Sequence, residues 1–420
     1  MMIKRLFAAC FVLLALASCS KKEGGSAPYK EGGDERYDMA ERDSSPSFDG
    51  DGGGLNGGPN GHQGGEAGVL TAGEWNDLQN WDFWGRLMTR EPQESEDPAQ
   101  STPDYGKMAF DWGFNTSRRV AVNVKDASGA PVVNAAVELL KNGQVVWTTR
   151  TSNTGDAQLW QDMDSAKGQE SGTEGLQIRI GGALQNEAPA VSLFPDAATV
   201  NEYIVPQTSP QAKADIAFIV DATGSMTDEI EFLKQDLLSI LEKLQQSQSG
   251  IDLRTGAVFY RDTGDDYLVR TEDFGTPAQT MRFIRNQEAG GGGDLPEAVH
   301  TALESTLTEL SWNTEARARV AFLILDAPAH IDHNGVVASL QKSIRQFAAK
   351  GIRIIPVLAS TGDKTTEFMC RDFAIVTNGT YVFLTDDSGV GESHLTPTVG
   401  DYDVESLNTL LYRLLEAYIR

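Results

Sequence analysis

Oxygen-bearing side chains stand where the predicted strands of the C-terminal half end. Carboxylates and hydroxyls are the ligands that hard divalent cations prefer, and carboxylates gathered without a cation repel one another. We therefore predict a divalent-cation site, with Mg²⁺ as the expected ion and Ca²⁺ or Mn²⁺ as alternatives. The candidate ligands are Asp221, Thr223, Ser225, Asp294 and Asp326. Asp262 is a candidate for contacting these ligands without binding the metal itself.

The predicted secondary structure explains how these side chains could meet. After residue 213, apolar runs alternate with amphipathic segments, which predicts a mostly parallel sheet with helices on both faces. In such a sheet the carboxyl ends of the strands lie at one edge, where ligands bind. The predicted strands are 216–220, 255–260, 321–325, 354–358 and 381–384, and the predicted helices are 225–246, 277–287, 295–309, 334–349, 364–376 and 403–419.

The motifs at this edge resemble a known family. Asp221-Ala-Thr-Gly-Ser, then Gly290-Gly-Gly-Gly-Asp-Leu-Pro-Glu, then Asp326-Ala-Pro-Ala-His occur in the order found in the von Willebrand factor A domain. The resemblance covers residues 213–420 and implies a Rossmann-like, doubly wound α/β fold. It also implies a metal-ion-dependent adhesion site, in which a protein partner completes the shell of the metal.

The resemblance also implies a role for each candidate ligand. Thr223 and Ser225 would bind the metal through their hydroxyls, and Asp221 and Asp326 mostly through water. Asp294 stands where the family usually has Thr. Its extra negative charge is expected to strengthen cation binding and to weaken attraction for a partner's carboxylate.

Each motif also has a purely structural interpretation. Ser225 with Asp228 could cap a helix, Asp294 could be an acidic residue of a first helical turn, and Asp326-Ala-Pro could be a turn after a strand. Their joint occurrence in one order favours the cation site.

Two further groups of residues have side chains that could do chemistry. His330, Asp332 and His333 have the side chains of a zinc site, but their position in one short loop favours ordinary surface histidines. No Ser-His-Asp or Cys-His arrangement is evident, which argues against an enzyme. Cys370 lies in a helix-like segment and is expected to be an inert core residue and not a reactive thiol.

The N-terminus has the pattern of an export signal. Lys4 and Arg5 precede an apolar run that is too short to span a bilayer. The run ends in Leu16-Ala-Ser-Cys19, which resembles the bacterial lipobox and implies that residues 1–18 are a signal peptide and that Cys19 carries a lipid. The alternative is an ordinary secretory signal with Cys19 incidental. Residues 19–68 are Gly-rich and are predicted to be a disordered tether.

Two segments separate the tether from the C-terminal domain. Residues 69–113 are predicted to be an aromatic helical segment whose Trp75, Trp81 and Trp84 either pack on the next domain or form a binding surface; Thr71 and Glu74 have the spacing of a helix capping box. Residues 117–206 read as short alternating strands of a small all-β sandwich. Their turn motifs resemble carboxypeptidase-regulatory-type Ig-like domains, which implies a spacer.

Composition narrows the function classes. The chain has 60 Asp and Glu against 35 Lys and Arg, a net charge of −25, which argues against a nucleic-acid partner. Only three cysteines are present, and loss of Cys10 and lipidation of Cys19 would leave none to pair with Cys370. We therefore expect a membrane-tethered, divalent-cation-dependent, adhesion-type lipoprotein of the bacterial cell envelope with a protein ligand. An envelope assembly or scaffold component is the first alternative, and a metal-dependent hydrolase is the second.

Overall fold

The computed structural model describes residues 70–92, 103–165, 169–293, 295–388 and 394–420. All of these belong to one structural unit, which extends from Gly61 to Arg420. The predicted signal peptide, the tether, Cys19 and Asp294 lie outside the described residues. Within the described ranges, no helix combines the length and the apolar character needed to cross a membrane.

The first half of the described chain is rich in strands, and strands alternate with helices in the second half. The strands are β1 (Thr71–Trp75), β2 (Arg118–Lys125), β3 (Ala136–Lys141), β4 (Gln144–Arg150), β5 (Asp156–Trp160), β6 (Leu176–Ile180), β7 (Ala183–Leu184), β8 (Ser192–Leu193), β9 (Val200–Ile204), β10 (Gln211–Asp221), β11 (Asp252–Tyr260), β12 (Val269–Gly275), β13 (Ala316–Leu325), β14 (Arg353–Leu358), β15 (Tyr381–Thr385) and β16 (Glu405–Ser406). The helices are α1 (Trp81–Thr89), α2 (Tyr105–Trp112), α3 (Thr227–Ser247), α4 (Pro277–Arg285), α5 (Val299–Thr308), α6 (Val336–Lys350), α7 (Lys364–Thr377) and α8 (Leu407–Ile419).

The largest sheet has eight strands in the order β12-β11-β10-β13-β14-β15-β1-β16. Strands β11, β10, β13, β14 and β15 are parallel to one another, whereas β12 and β1 run antiparallel to their neighbours. The parallel strands are almost continuously apolar because both faces of the sheet are covered.

Different helices cover the two faces of this sheet. Because side chains alternate along a strand, Phe218 and Val220 of β10 join one apolar core, and Ala217 and Ile219 join the other. Helices α3, α4 and α8 contribute to the first core, and α5, α6 and α7 to the second. This mixed sheet with helices on both faces agrees with the doubly wound α/β fold that the alternating segments predicted.

The beginning of the aromatic segment differs from the prediction. Thr71–Trp75 form a strand and not the first turn of a helix, so the capping-box interpretation of Thr71 and Glu74 is wrong. Strand β1 pairs antiparallel with β15, and the Thr71 hydroxyl donates to the backbone carbonyl of Thr385 at 3.2 Å. Pairing with a strand 314 residues away therefore determines the structure here, and the helix-cap spacing of Thr71 and Glu74 does not.

The tryptophans of the aromatic segment are core residues. Trp81 and Trp84 on α1 are buried, and Trp75 is partly buried against the same core. The ring of Trp84 stacks on Phe368 of α7 at a centroid distance of 5.9 Å. Burial of this kind supports the packing interpretation and leaves neither ring of α1 exposed for a ligand.

A buried ion pair fixes the same segment to α7. Asp77 accepts hydrogen bonds from Nε and Nη2 of Arg371 at 2.9 and 2.6 Å, and both side chains are fully buried. Asp77 lies between β1 and α1, so the pair connects the start of the described chain to a helix of its C-terminal half.

Residues 118–204 form two smaller sheets of four strands each. One contains β5, β2 and β8, with β9 also paired to β2; the other has the order β4-β3-β6-β7. Inward side chains of both sheets, such as Val122 and Leu139, belong to the same apolar core as α5 to α7. The Ig-like assignment of this region stays a prediction.

Candidate functional site

The carboxyl ends of β10, β11 and β13 meet at one edge of the main sheet. Asp221, the last residue of β10, lies opposite Tyr260, the last residue of β11. Asp326 follows directly after β13, whose Ile324 lies opposite Val220. The parallel register therefore brings the two candidate aspartates to the same edge, as the strand-end motifs predicted.

The carboxylate of Asp221 is buried, and only one of its two oxygens accepts a hydrogen bond from a described residue. Its Oδ1 accepts hydrogen bonds from the backbone N–H of Thr223 at 2.9 Å and from the Thr223 hydroxyl at 2.7 Å. Its Oδ2 has no hydrogen-bond partner among the described residues. Burial and the nearby charge of Asp326 raise the pKa of Asp221 to about 7, although the hydrogen bonds from Thr223 and the hydroxyl of the neighbouring Tyr260, which lies near the carboxylate without meeting hydrogen-bond geometry, oppose this.

A short turn presents the two hydroxyl candidates. Thr223 is buried and precedes a 3₁₀ turn, Gly224–Met226, in which Ser225 is exposed. Helix α3 begins after Met226 without a side-chain cap, so Ser225 does not act as its N-cap. The Thr223 hydroxyl donates a hydrogen bond to Asp221, which leaves the lone pairs of the hydroxyl oxygen able to bind a cation.

The glycine-rich loop lies directly against this turn. The N–H of Gly224 donates to the carbonyl of Gly291 at 3.2 Å. Gly291 has a φ of +76°, and a Cβ there would come within 2.4 Å of the Asp265 carboxylate. Only glycine fits such a position. Asp294, three residues further on, lies outside the described residues, so its predicted role as a ligand stays a prediction.

Glu297 is an acidic member of the site that sequence analysis missed. It is buried, its Oε2 has no hydrogen-bond partner among the described residues, and a Cβ on Gly292 would lie 3.3 Å from its Oε1. Burial is the main cause that raises the pKa of Glu297 to about 9. The negative charges that add to the effect are, in decreasing order, those of Asp221, Asp262, Asp265 and Asp326.

The predicted start of the following helix explains this omission. The sequence predicts a helix over 295–309, but α5 begins at Val299. Glu297 instead forms a β-bridge with Ala329, and its backbone N–H donates to the carbonyl of Pro328 at 2.9 Å. The bridge holds Glu297 next to the loop that follows β13. In the sequence, only the position of Glu297 at the end of the Gly290–Glu297 motif indicated that it could belong to the site.

Asp262 and Asp265 lie in the loop between β11 and β12. Asp265 Oδ2 accepts from the backbone N–H of Gly292 at 2.9 Å and of Asp262 at 3.2 Å. Asp262 Oδ1 lies 3.0 Å from Nε2 of His330. Asp265 thus ties this loop to the glycine-rich loop, and Asp262 joins it to the histidine loop.

A chain of hydrogen bonds reaches Asp326 from the opposite side. The Thr361 hydroxyl donates to Asp326 Oδ2 at 3.2 Å. The preceding Ser360 contacts the buried Glu229, whose Oε1 accepts from the backbone N–H and hydroxyl of Ser360 at 3.2 and 3.0 Å. These contacts fix the position of Thr361, and through it the Asp326 carboxylate.

Ser360 also belongs to a Ser-His-Asp arrangement. Its Oγ lies 3.2 Å from Nε2 of His394, and Nδ1 of His394 lies 2.7 Å from Oδ1 of Asp386. The prediction that no such arrangement exists is therefore wrong for the described residues. Ser360 is only 4% exposed and donates to Glu229, so its hydroxyl is not presented to a substrate. The geometry supports a positioning role in place of nucleophilic catalysis.

The side chains at this edge fit a divalent cation. They are hard oxygen donors, and Oδ2 of Asp221 is buried without a hydrogen-bond partner among the described residues. Burial, reinforced by neighbouring carboxylates, raises the pKa values of Asp221 and Glu297. A cation would supply the countercharge that these carboxylates need. Asp221, Thr223, Ser225 and Asp326 are the described residues that would hold it.

Comparison with known proteins identifies this part of the chain. Residues 215–389 match the family model of the von Willebrand factor A domain, so this region is such a domain, as the motifs predicted. The alpha-protein kinase vwkA of Dictyostelium discoideum is 35% identical over 119 residues, which are 28% of this chain. The match spans 19% of that relative, so this chain covers less than a fifth of it.

Two solved structures are similar over part of the chain. The pilus adhesin SpaC from Lactobacillus rhamnosus GG is 14% identical, has a TM-score of 0.32, and matches 40% of this chain and 28% of its own. The proximal thread matrix protein 1 from the mussel byssus, with zinc occupied MIDAS motif, is 16% identical with a TM-score of 0.30. That match covers 39% of this chain and 40% of the byssus protein.

Proposed function

We propose that this protein binds a protein partner through a divalent cation, with Mg²⁺ as the expected ion, and that it does so as a lipid-anchored protein of the bacterial cell envelope. The observation that carries the proposal is the buried Oδ2 of Asp221, which lacks a hydrogen bond among the described residues at the edge where Asp326 and Glu297 also gather. A cation bound there stabilises the acids, and an adhesion-type partner completes its coordination.

The two hydroxyl ligands differ in a way that suits this function. Thr223 is buried and fixed to Asp221, whereas Ser225 is exposed at the rim. A cation between them would keep one side toward solvent, where a partner oxygen can replace water. The negative charge of Asp294, placed beside the metal in this proposal, weakens the attraction of the metal for a carboxylate of the partner. We therefore expect a partner that also contacts the surface around the metal.

Partner capture tests the proposal. The purified chain would be immobilised and exposed to envelope extracts with Mg²⁺, with EDTA, and with EDTA followed by excess Mg²⁺. We expect specific proteins, identified by mass spectrometry, to be captured with Mg²⁺, lost with EDTA and recovered on adding Mg²⁺ back. Asp221→Asn should abolish capture. Asp228→Asn removes an exposed carboxylate from the first turn of α3 and is the matched control. Capture that survives EDTA and Asp221→Asn would exclude the metal-dependent mechanism.

The lipid anchor has a separate test. Cys19 follows Leu16-Ala-Ser, and several acyl chains at about 0.8 kcal/mol per buried CH₂ would hold the protein firmly on a membrane. We expect the wild-type chain to sediment with membranes and Cys19→Ala to appear in the soluble fraction. Membrane association that is unchanged in Cys19→Ala contradicts lipidation at this residue.

A further inference from the structure

The histidine loop after β13 brings together nitrogen donors that the oxygen site does not use. Donor atoms of His330, Asp332 and His333 all lie within 4.8 Å of one another. The two imidazole rings are parallel, with centroids 4.3 Å apart and an interplanar angle of 3°. His330 is buried, and Asp332 and His333 are exposed. The sequence interpretation of ordinary surface histidines does not explain a buried His330 whose ring stacks on that of His333.

The surroundings of His330 are those of a metal-binding imidazole. Its Nε2 lies 3.0 Å from Asp262 Oδ1, and an ionised carboxylate can only accept, so Nε2 carries the proton. In the neutral ring this leaves the lone pair on Nδ1. Histidines that ligate metals commonly donate their second N–H to a carboxylate in this way, which fixes the tautomer and the ring orientation. Asp262 comes from another loop, so the position of His330 does not depend on its own short segment alone.

A third histidine lies nearby. His300, at the start of α5, has a buried Nδ1 without a hydrogen-bond partner among the described residues. Burial is the main cause that lowers the pKa of His300; positive charge on His330 and, to a smaller extent, on His333 would add to this, and Glu304 and Asp262 oppose it. His300 therefore lies close enough to His330 and His333 for their charges to affect its pKa.

We propose that His330, His333 and Asp332 form a second metal site, for a Zn²⁺-class transition-metal ion, with Asp262 as the carboxylate that orients His330. Imidazole nitrogen is a preferred ligand of Zn²⁺, whereas Mg²⁺ selects oxygen, so Mg²⁺ in excess should occupy the Asp221 site and leave the histidine site to Zn²⁺. Three protein ligands leave a fourth position for water, His300 or a partner's side chain. The proposal does not depend on the proposed protein-binding function.

The donor atoms must move closer together to hold one ion. Ligand atoms around tetrahedral Zn²⁺ lie about 3.4 Å apart at Zn–N lengths of about 2.0–2.1 Å. The present spread of 4.8 Å is larger, but Asp332 and His333 are exposed, so their side chains can rotate toward His330. His330 is the fixed member, because Asp262 holds it.

The test is a calorimetric titration with Zn²⁺ of the purified chain, without a polyhistidine tag and with excess Mg²⁺ to fill the oxygen site. Wild type should bind one Zn²⁺, and His333→Gln should weaken binding at least tenfold. Co²⁺ should give the visible absorption of a histidine-ligated ion in wild type, and not in His333→Gln. Because His333 is exposed, this variant should fold as wild type does, which its circular dichroism and unfolding midpoint would establish.

Two control variants make the result specific. His62→Gln removes a histidine outside the described residues and should bind Zn²⁺ like wild type. Asp221→Asn should also retain Zn²⁺ binding, although it loses the oxygen site. The proposal is overturned if wild type binds no Zn²⁺ under Mg²⁺, if His333→Gln binds it equally well, or if Asp221→Asn abolishes it.

Discussion

Asp221 and Thr223 are joined by two hydrogen bonds to a single carboxylate oxygen. The Thr223 backbone N–H lies 2.9 Å and its hydroxyl 2.7 Å from Oδ1 of Asp221. This contact fixes the carboxylate, directs the hydroxyl proton away from the site, and leaves Oδ2 of Asp221 without a hydrogen bond among the described residues. The pair is therefore arranged to bind a cation through Oδ2 of Asp221 and the lone pairs of the Thr223 hydroxyl.

Without a divalent cation, the protein should lose stability as the pH rises. The carboxyls of Asp221 and Glu297 ionise near pH 4 in the unfolded chain, whereas their folded pKa values are about 7 and about 9. Between these values the folded chain binds more protons than the unfolded chain, so the free energy of unfolding falls with increasing pH. Urea unfolding in EDTA should give a lower midpoint at pH 8 than at pH 5.5. A midpoint that is equal or higher at pH 8 would contradict the assigned burial of these acids.

Glu297→Gln should weaken Mg²⁺ binding and stabilise the cation-free protein at alkaline pH. The amide keeps the shape of the side chain but removes a charge that the buried site can hold only with a cation. We expect Mg²⁺ affinity to fall about tenfold, or about 1.4 kcal/mol, in a calorimetric titration. Glu304→Gln, an exposed change on α5, is the control and should have no effect. Unchanged affinity in Glu297→Gln would show that Glu297 does not contribute to the site.

Asp77→Ala should strongly destabilise the fold. Removing one partner of a buried ion pair costs about 3–5 kcal/mol when the other charge is left alone, and the buried Glu367, 3.4 Å from Nη1 of Arg371, should hold the cost to the lower part of that range. Arg371 is fully buried, and Asp77 provides two of its hydrogen bonds. Asp82→Ala breaks an exposed pair with Arg86 and should hardly change the stability, because solvent screens such pairs. The two variants can be compared by urea unfolding, and equal midpoints would refute the structural importance of the buried pair.

Cys370 should be unreactive in the folded protein. The side chain is fully buried on α7, and burial raises the pKa of its thiol far above the usual range, so almost no thiolate forms. In a chain with Cys10→Ser and Cys19→Ser, a thiol reagent at pH 8 should modify Cys370 only after denaturant is added. Rapid labelling of the folded chain would show that this part of α7 opens readily.

The order of strands and helices in residues 213–420 could largely be predicted from the sequence. The buried parallel strands are recognisable because both faces require apolar residues, as in the run 216–220 of β10. The positions of Asp221 and Asp326 follow from that order, since the carboxyl ends of parallel strands share one edge. The local chemistry of these two residues was thus apparent before their contacts were known.

Other features depend on contacts that local sequence does not encode. Strand β1 is a strand because it pairs with β15, and its Thr71 and Glu74 have the spacing of a helix cap by coincidence. The sequence did not indicate a site role for Glu297, because it predicted a helix over 295–309 that includes this residue. The helix begins two residues after Glu297. The contact between Ser360 and His394 likewise exists only in the folded chain.

The central claim is that Asp221 belongs to a divalent-cation site, and a calorimetric titration of the cation-free protein with Mg²⁺ tests it most directly. Wild type and Asp228→Asn should bind one Mg²⁺, and Asp221→Asn should lose at least tenfold in affinity, about 1.4 kcal/mol or more, while remaining folded. Wild type that binds no divalent cation, or Asp221→Asn that binds Mg²⁺ as tightly as wild type, would contradict the account.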